Sequence, residues 1–184
     1  MKTIDWKVCL LHLPTAVRYC KSCGKKTQFI PSGLFRVNAQ KKNMDVWLIY
    51  KCAVCEATWN LAVHSRVNPR SLVPGALNGY MGNEAEHVLR CAVDTALIKR
   101  NGAEPSMPEV ELVGAEVSLT EPVELHITVE QPLEIRLAAL LRRKLGLSRA
   151  AYDRMLACGQ IACVSGHELS VCRLCGEVVI QIHP

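Results

Sequence analysis

The chain has 184 residues, enough for one domain or two small ones. Apolar residues make up 49% and charged residues 21%, which suits a packed core. No apolar run approaches the roughly 18 residues needed to span a bilayer, so no membrane-spanning helix is expected. The formal net charge of +5 conceals segregation. Residues 1–55 carry 10 Lys/Arg against 2 acids, residues 56–103 carry 5 against 4, residues 104–134 carry 8 Glu and no base, and residues 135–184 carry 7 against 3. Two basic ends around an acidic middle fit a nucleic-acid partner; alternatively, the acidic segment folds onto one basic end and neutralises it.

The N-terminal apolar stretch, Val8 to Leu13, is interrupted by His12 and lacks a small-residue cleavage pattern, so it does not read as a signal peptide. Ten cysteines outside a secretory context indicate metal rather than disulfides and place the protein in the cytoplasm. Ile4 to Leu13 reads as a strand that adds to the sheet following it, and Pro14 ends it.

From Tyr19 to Asn60 the chain holds two Cys-x-x-Cys pairs, Cys20/Cys23 and Cys52/Cys55, with 28 residues between them. Two residues between thiolates let one tight turn aim both sulfurs at a single ion. Two such turns complete a closed tetrahedral four-sulfur site of the kind expected for structural zinc. The spacer explains its own length. Leu34 to Val37 and Asp45 to Tyr50 read as strands joined by a polar turn, Asn38 to Asn43, and the second strand runs into Cys52. Two hooks at the end of a short antiparallel sheet make a zinc ribbon. The alternatives are four unbound core thiols or a redox dithiol, which normally follows a strand of a βαβ unit that is not visible here.

Beyond Trp59, Leu61 to Val63 extends a strand and Ser71 to Tyr80 holds a short helix. A longer helix runs from Asn83, with Glu86 completing a variant capping box, to Gly102. Ala85, Val88, Leu89, Ala92 and Ala96 form its inward face. Glu104 to Pro108 reads as a linker and divides the chain into residues 1–103 and 104–184. Strands over Val110 to Leu119 and Val123 to Val129 follow.

In the last third, Leu133, Leu137, Leu140, Leu141 and Leu145 form the stripe of one helix, and Ser148 caps a second, Arg149 to Ala157. Ile161 to Val164 reads as a strand, and Glu168 to Val171 with Val178 to Ile182 as a hairpin. Arg136, Arg142, Arg143, Lys144, Arg149 and Arg154 cluster around the turn between the helices, as a phosphate-binding set would; a charge run at a helix end is also ordinary dipole complementation. Cys158, Cys163, Cys172 and Cys175 form a second candidate metal set, in which His167 or His183 could replace one ligand.

The order Leu137 to Leu145, Ser148-Arg149, Gly159-Gln160-Ile161 and Val164-Ser165-Gly166 resembles the small αL RNA-binding motif shared by a small-subunit ribosomal protein, tyrosyl-tRNA synthetases and many pseudouridine synthases. Gln160 and Ser165 depart from the basic residue and the Asn of that motif. Across nearly the whole chain, Cys20/Cys23, Phe35-Arg36-Val37-Asn38-Ala39, Asp45 to Tyr50 before Cys52/Cys55, and Leu145 to Arg149 resemble a bacterial family known only as a domain of unknown function, number ten sixty-two. That resemblance implies a small cytosolic protein and brings no activity with it.

The resulting expectation is an α+β chain: an N-terminal zinc-ribbon antiparallel sheet plus helix, then a small αL-like domain of two helices and a β-hairpin. Its function would be zinc-stabilised binding of structured RNA such as tRNA or rRNA through the C-terminal helix pair. The alternative is an adaptor that binds proteins through the ribbon sheet and the acidic segment. No Gly-rich phosphate loop, His-Glu zinc-protease pattern or nucleophile with a base at readable spacing is present, so no catalytic residue is assigned. Asp45, His64 and Glu84 are polar residues that could meet only in the fold.

Overall fold

The computed structural model describes residues 1–40, 43–129, 133, 135–173 and 176–184. Lys41 and Lys42, which with Lys25, Lys26 and Arg36 read from the sequence as a basic surface of the ribbon, and Cys175 therefore lie outside the described residues. Strand β1 (Lys2–Leu10) alternates cleanly, burying Ile4, Trp6 and Val8 and exposing Lys2, Asp5 and Lys7, as a strand with one packed face must. Strands β2 (Ala16–Cys20), β3 (Lys25–Gln40), β4 (Asn43–Cys52), β5 (Thr58–Val67) and β6 (Glu104–Pro105) form an antiparallel sheet in the order β5-β4-β3-β2-β6. Helices α1 (Ala76–Met81), α2 (Ala85–Val93) and α3 (Thr95–Arg100) come between β5 and β6. Then follow β7 (Val110–Gly114), β8 (Val123–Thr128), α4 (Leu137–Lys144), α5 (Arg149–Ala157), β9 (Ile161–Cys163) and β10 (Glu177–Ile182).

The chain divides into two compact units, Leu13–Pro108 and Met1–His12 with Glu109–Pro184. We call them the hook unit and the mixed-sheet unit. In the hook unit, one face of the sheet buries Ala16, Cys20, Phe29, Leu48, Tyr50 and Leu61 against Val88, Cys91, Leu97 and Ile98 of α2 and α3. Between Pro31 and Phe35 the pairing with β4 shifts, the three residues Ser32, Gly33 and Leu34 opposing the single Ile49. An even number of extra residues leaves Phe29 and Phe35 facing the same way, so the bulge bends the sheet without turning it inside out. Pro31 fits there because a bulge does not need its missing N–H.

The mixed-sheet unit carries the order β7-β1-β8-β10-β9. Its centre is β8, paired in parallel with β1 (Ile4↔Leu125, Trp6↔Ile127) and antiparallel with β10 (Ile180↔Leu125). Trp6 is buried opposite Gly114, where a side chain would collide with the indole ring, and its Nε1 donates to the Ala115 carbonyl at 2.9 Å. The α4 residues Leu137, Leu140 and Leu141 and Tyr152 of α5 are buried with Leu133, Ile135 and Ile161.

Several expectations are corrected. The separate αL-like domain is not present: the molecule is mostly β, with 41% strand against 24% helix, and the C-terminal helices belong to a unit whose five-stranded sheet takes β1 from the N-terminus and β7 and β8 from the acidic segment. The hairpin of Glu168 to Val171 with Val178 to Ile182 does not form, because both edges of β10 are occupied, by β8 and by β9. Strand β1 does not add to the hook sheet, since its partners are β7 and β8. The passage between units falls at Pro108–Glu109, and the first twelve residues belong with the C-terminal part.

The expected helix from Asn83 is two helices. Asp94 closes α2 and caps α3, its carboxylate accepting from the Leu97 N–H at 2.8 Å. A short acidic side chain that bonds the backbone ahead of it interrupts the helix ladder. Asn83 is not the cap of α2. It sits at φ 55° and its Oδ1 accepts from the Phe35 N–H of β3 at 2.6 Å.

Two outcomes test this architecture. Trp6→Ala should cost roughly 3–5 kcal/mol of stability, as large-to-small core changes do, and lower the melting temperature while metal content is retained. His126 lies between Glu124 (3.1 Å) and Glu177 (3.0 Å), hydrogen bonds that raise its pKa above the ordinary value. Its contribution is present below the unfolded pKa and lost as pH rises through the raised folded one. The gap in melting temperature between wild type and His126→Gln should therefore shrink from pH 6 towards pH 8.

Candidate metal centre

The two hooks are built alike. Cys20 ends β2 and Cys52 ends β4. In the first, the Gly24 N–H bonds to the Cys20 carbonyl (2.9 Å) and Gly24 adopts φ 66°; in the second, the Glu56 N–H bonds to the Cys52 carbonyl (3.0 Å) and Glu56 adopts φ 60°. Each turn thus closes on its first cysteine with a left-handed residue after its second. Gly24 does this without a Cβ penalty, which Glu56 bears. The second hook is tied back to the sheet by Cys52 N–H to the Ala57 carbonyl and Ala53 N–H to the Gln28 carbonyl, both 2.9 Å.

Strand pairing brings the hooks together. Cys20 pairs with Lys25 and Cys52 with Phe29 on the same strand β3, so the two strand ends lie side by side across it. The four sulfur atoms lie within 4.8 Å of one another, with Cys20–Cys55 at 3.6 Å and Cys23–Cys52 at 3.9 Å. Four ligands at about 2.3 Å from a tetrahedral zinc are about 3.8 Å apart. The thiols are free and these separations exceed a disulfide bond, so the arrangement fits a shared cation.

The thiols are electrostatically unequal. The Thr27 hydroxyl lies 3.2 Å from the Cys52 sulfur, and this hydrogen bond, helped by backbone N–H groups of the hook, brings the Cys52 pKa down to about 6. Hydrogen bonding to Cys55, with burial, pushes the Cys23 thiol up to about 12. Cys52 is held as a thiolate more readily than Cys23, whose proton a bound cation would draw off. Arg18 stacks on the Trp59 ring at 4.4 Å, placing a permanent positive charge on the aromatic residue that follows the second hook. Thr27 carries no motif, but it precedes Phe29 by two on β3 and so shares its inward face, the one signal that could have exposed it.

Among the described residues these four cysteines are the only group of three or more potential metal ligands. Of the second candidate set, Cys158 is exposed, Cys163 lies 3.1 Å from the Ser165 hydroxyl, Cys172 is half-buried, and Cys175 is outside the described residues. His167 and His183 are exposed. Asp45, His64 and Glu84 do not meet: Asp45 accepts from the Arg66 N–H (2.8 Å), His64 bonds the Tyr80 hydroxyl (3.1 Å), and Glu84 faces His87 (3.4 Å).

A sequence model of one family, described as protein of unknown function (DUF1062), matches residues 37–167. The chain belongs to this family. The DUF1062 match takes in Cys52, Cys55 and both helices α4 and α5, whereas Cys20 and Cys23 precede it. Comparisons with curated proteins and with solved structures gave no match.

The six basic residues of the C-terminal helices do not form one patch. The Arg143 guanidinium donates to the Val110 carbonyl. Lys144 lies 3.3 Å from Glu116 and 5.9 Å from the Trp6 ring centre. Arg149 pairs with Asp153 of its own helix at 3.7 Å, and Arg154 is exposed in the last turn of α5. Arg136, Arg142 and Arg149 instead line a cavity of about 260 Å³ together with Tyr152, Asp153 and Ser170.

Two substitutions test the centre. Cys52→Ser should reduce bound metal from about one equivalent per chain to none, and open residues 19–60 to protease, because the metal's binding energy is folding energy. Thr27→Val keeps the shape and removes only the hydroxyl. It should weaken metal affinity by about 10–100-fold in a chelator competition, the range typical of groups that orient ligands from behind.

Proposed function

We propose that the protein is a zinc-stabilised, non-catalytic binding module whose hook unit takes RNA on the open face of its sheet. The donor set supports zinc: four cysteine sulfurs at tetrahedral spacing close the coordination sphere and leave no position for a reactive water. A reducing compartment such as the cytoplasm, which keeps these thiols free for metal, is part of the proposal.

The observation that carries the RNA reading is the face of the sheet turned away from α2 and α3. There Arg36 and Trp47 are direct cross-strand partners, with the guanidinium 5.8 Å from the ring centre. Ile30 pairs with Lys51 along the same surface, and Tyr19 pairs with Lys26, whose ammonium is held by Glu104 at 2.6 Å; Tyr19 is 58% exposed. Aromatic and guanidinium planes interleaved with ammonium groups stack unpaired bases and hold their phosphates. Charge agrees. The hook unit carries 13 Lys/Arg against 6 Asp/Glu, net +7, while the mixed-sheet unit carries 9 against 11, net −2. The positive field sits on the unit that has the aromatic face. The C-terminal helices are less suited to a long RNA strand, since Arg143 and Lys144 are engaged by their own unit.

Titration of the intact chain with an unpaired oligoribonucleotide should quench tryptophan fluorescence. Affinity should fall with salt at a log–log slope of about −0.7 per phosphate contact. Arg36→Glu combined with Lys51→Glu should abolish binding and leave metal content and melting temperature unchanged. Ile30 and Leu34, 48% and 51% exposed on the same surface, favour the adaptor as the second reading. It takes over if wild type shows no salt-dependent RNA binding and captured protein partners survive nuclease.

A further inference from the structure

The cavity between α4 and α5 is independent of the sheet face and of the metal centre. Arg136 is the residue at which α4 begins, Arg142 lies in its last turn, and Arg149 opens α5. They reach the same cavity because the tight turn at Gly146 folds one helix back on the next: the Leu147 N–H bonds to the Arg142 carbonyl at 2.9 Å, with Gly146 at φ 65°. Tyr152 and Asp153, one turn into α5, form the facing wall.

Two polar atoms there are buried without a hydrogen-bond partner among the described residues, Arg142 Nε and the Tyr152 hydroxyl. Tyr152 as a whole is 1% exposed. Buried donors are nearly always satisfied, so an orphan pair on one cavity marks a place where something else accepts from them. Both can donate, and the guanidinium has no acceptor capacity at all. The Ser170 hydroxyl already donates to Glu168, so it shapes the wall and leaves the bonding to the other groups. Three guanidinium groups against the one carboxylate of Asp153, which is already paired with Arg149, leave a charge of about +2 on the lining. At about 260 Å³ the space is smaller than the 300–1,000 Å³ usual for drug-sized ligands.

We propose that this cavity is a binding site for a phosphate monoester group, held by Arg136, Arg142 and Arg149 with the Tyr152 hydroxyl donating from the buried end. A monoester carries close to two negative charges near neutral pH and three acceptor oxygens, matching the excess charge and the converging donors. A phosphodiester in mid-chain has one charge and fewer free acceptor oxygens, so it matches the lining less well. The phosphate can come from a free small molecule or from the terminus of an oligonucleotide.

The test is calorimetric titration of the intact, metal-loaded chain with inorganic phosphate, glycerol phosphate and sulfate at constant ionic strength. A second arm uses a short oligoribonucleotide with and without a 5′-phosphate. Saturable one-site binding of phosphate and glycerol phosphate is expected. Affinity for glycerol phosphate should rise from pH 5.5 to 7.5 as its second proton leaves, around pH 6, and sulfate should show no such rise. Tighter binding of the 5′-phosphorylated than of the 5′-hydroxyl oligonucleotide would identify a polymer end as the source, and equal binding of the two a free small molecule. Arg142→Gln should weaken phosphate at least tenfold. Tyr152→Phe should weaken it several-fold while leaving ligand-free melting unchanged or raised, since it removes an unsatisfied buried group. If phosphate and glycerol phosphate do not saturate, or if Tyr152→Phe binds them as wild type does, the site is not a phosphate site.

Discussion

Four sulfur atoms held within 4.8 Å of one another cannot all be thiolates unless a cation sits among them. The rest of the hook unit is arranged around that constraint. Cys20 and Cys52 terminate strands on either side of β3, and three ladders, β2–β3, β3–β4 and β4–β5, run outward from the hooks. The same two cysteines are nearly fully buried and contribute to the apolar cluster that packs α2 and α3 on the sheet. A metal held there would therefore join sheet and helices into one cooperative structure. Without an ion the site would hold like charges, or protonated thiols at van der Waals distance, at the point where the strands are anchored.

What could be read from the sequence was what is local. Two Cys-x-x-Cys pairs with strands between them gave the hooks, because spacing of two residues is a property of one turn. Ser148 gave the start of α5, where its hydroxyl accepts from the Ala151 N–H at 3.1 Å. The helix stripe of Leu137, Leu140 and Leu141 is buried as its periodicity requires. The misses are all partner choices or competitions between local rules. Nothing in Ile4-Asp5-Trp6 says that its neighbour is Leu125-His126-Ile127, more than a hundred residues away; alternation fixes a face, not a partner. Asp94 is hidden in the sequence because Val93 and Thr95 sit comfortably in a helical pattern, while its side chain offers the backbone a better bond.

Counting charge by sequence segment misled for the same reason. The run of eight Glu from 104 to 134 reads as a separate acidic block. In the fold it supplies strands β7 and β8, and residues within it receive the basic end of α4: Glu116 takes Lys144, and the Val110 carbonyl takes Arg143. The anticipated internal neutralisation is thus found at one of the six basic positions, Lys144, while the Val110 carbonyl only ties Arg143 down. Once charge is counted by unit, the excess lies in the part of the chain with no long acidic run. An exposed lysine pair such as Lys144–Glu116 adds little stability by itself; its effect is to remove a cation from the surface available to a polyanion.

An unsatisfied buried hydroxyl is not by itself the mark of a site, and the hook unit supplies the comparison. The Tyr50 hydroxyl is as orphaned as that of Tyr152, and burial pushes its pKa up in the same direction. Tyr50, however, is packed among Leu48, Trp59 and Cys91 in a continuous apolar cluster, its ring 5.0 Å from that of Trp59. There the phenol serves as a large apolar filler, and the cost of its hydroxyl is offset by the area it buries. Tyr152 lines a cavity, and so does Arg142, whose Nε equally lacks a partner among the described residues. Packing explains the first tyrosine completely. The second is explained only when an acceptor occupies the cavity, which is why the same local defect is structural in one unit and functional in the other.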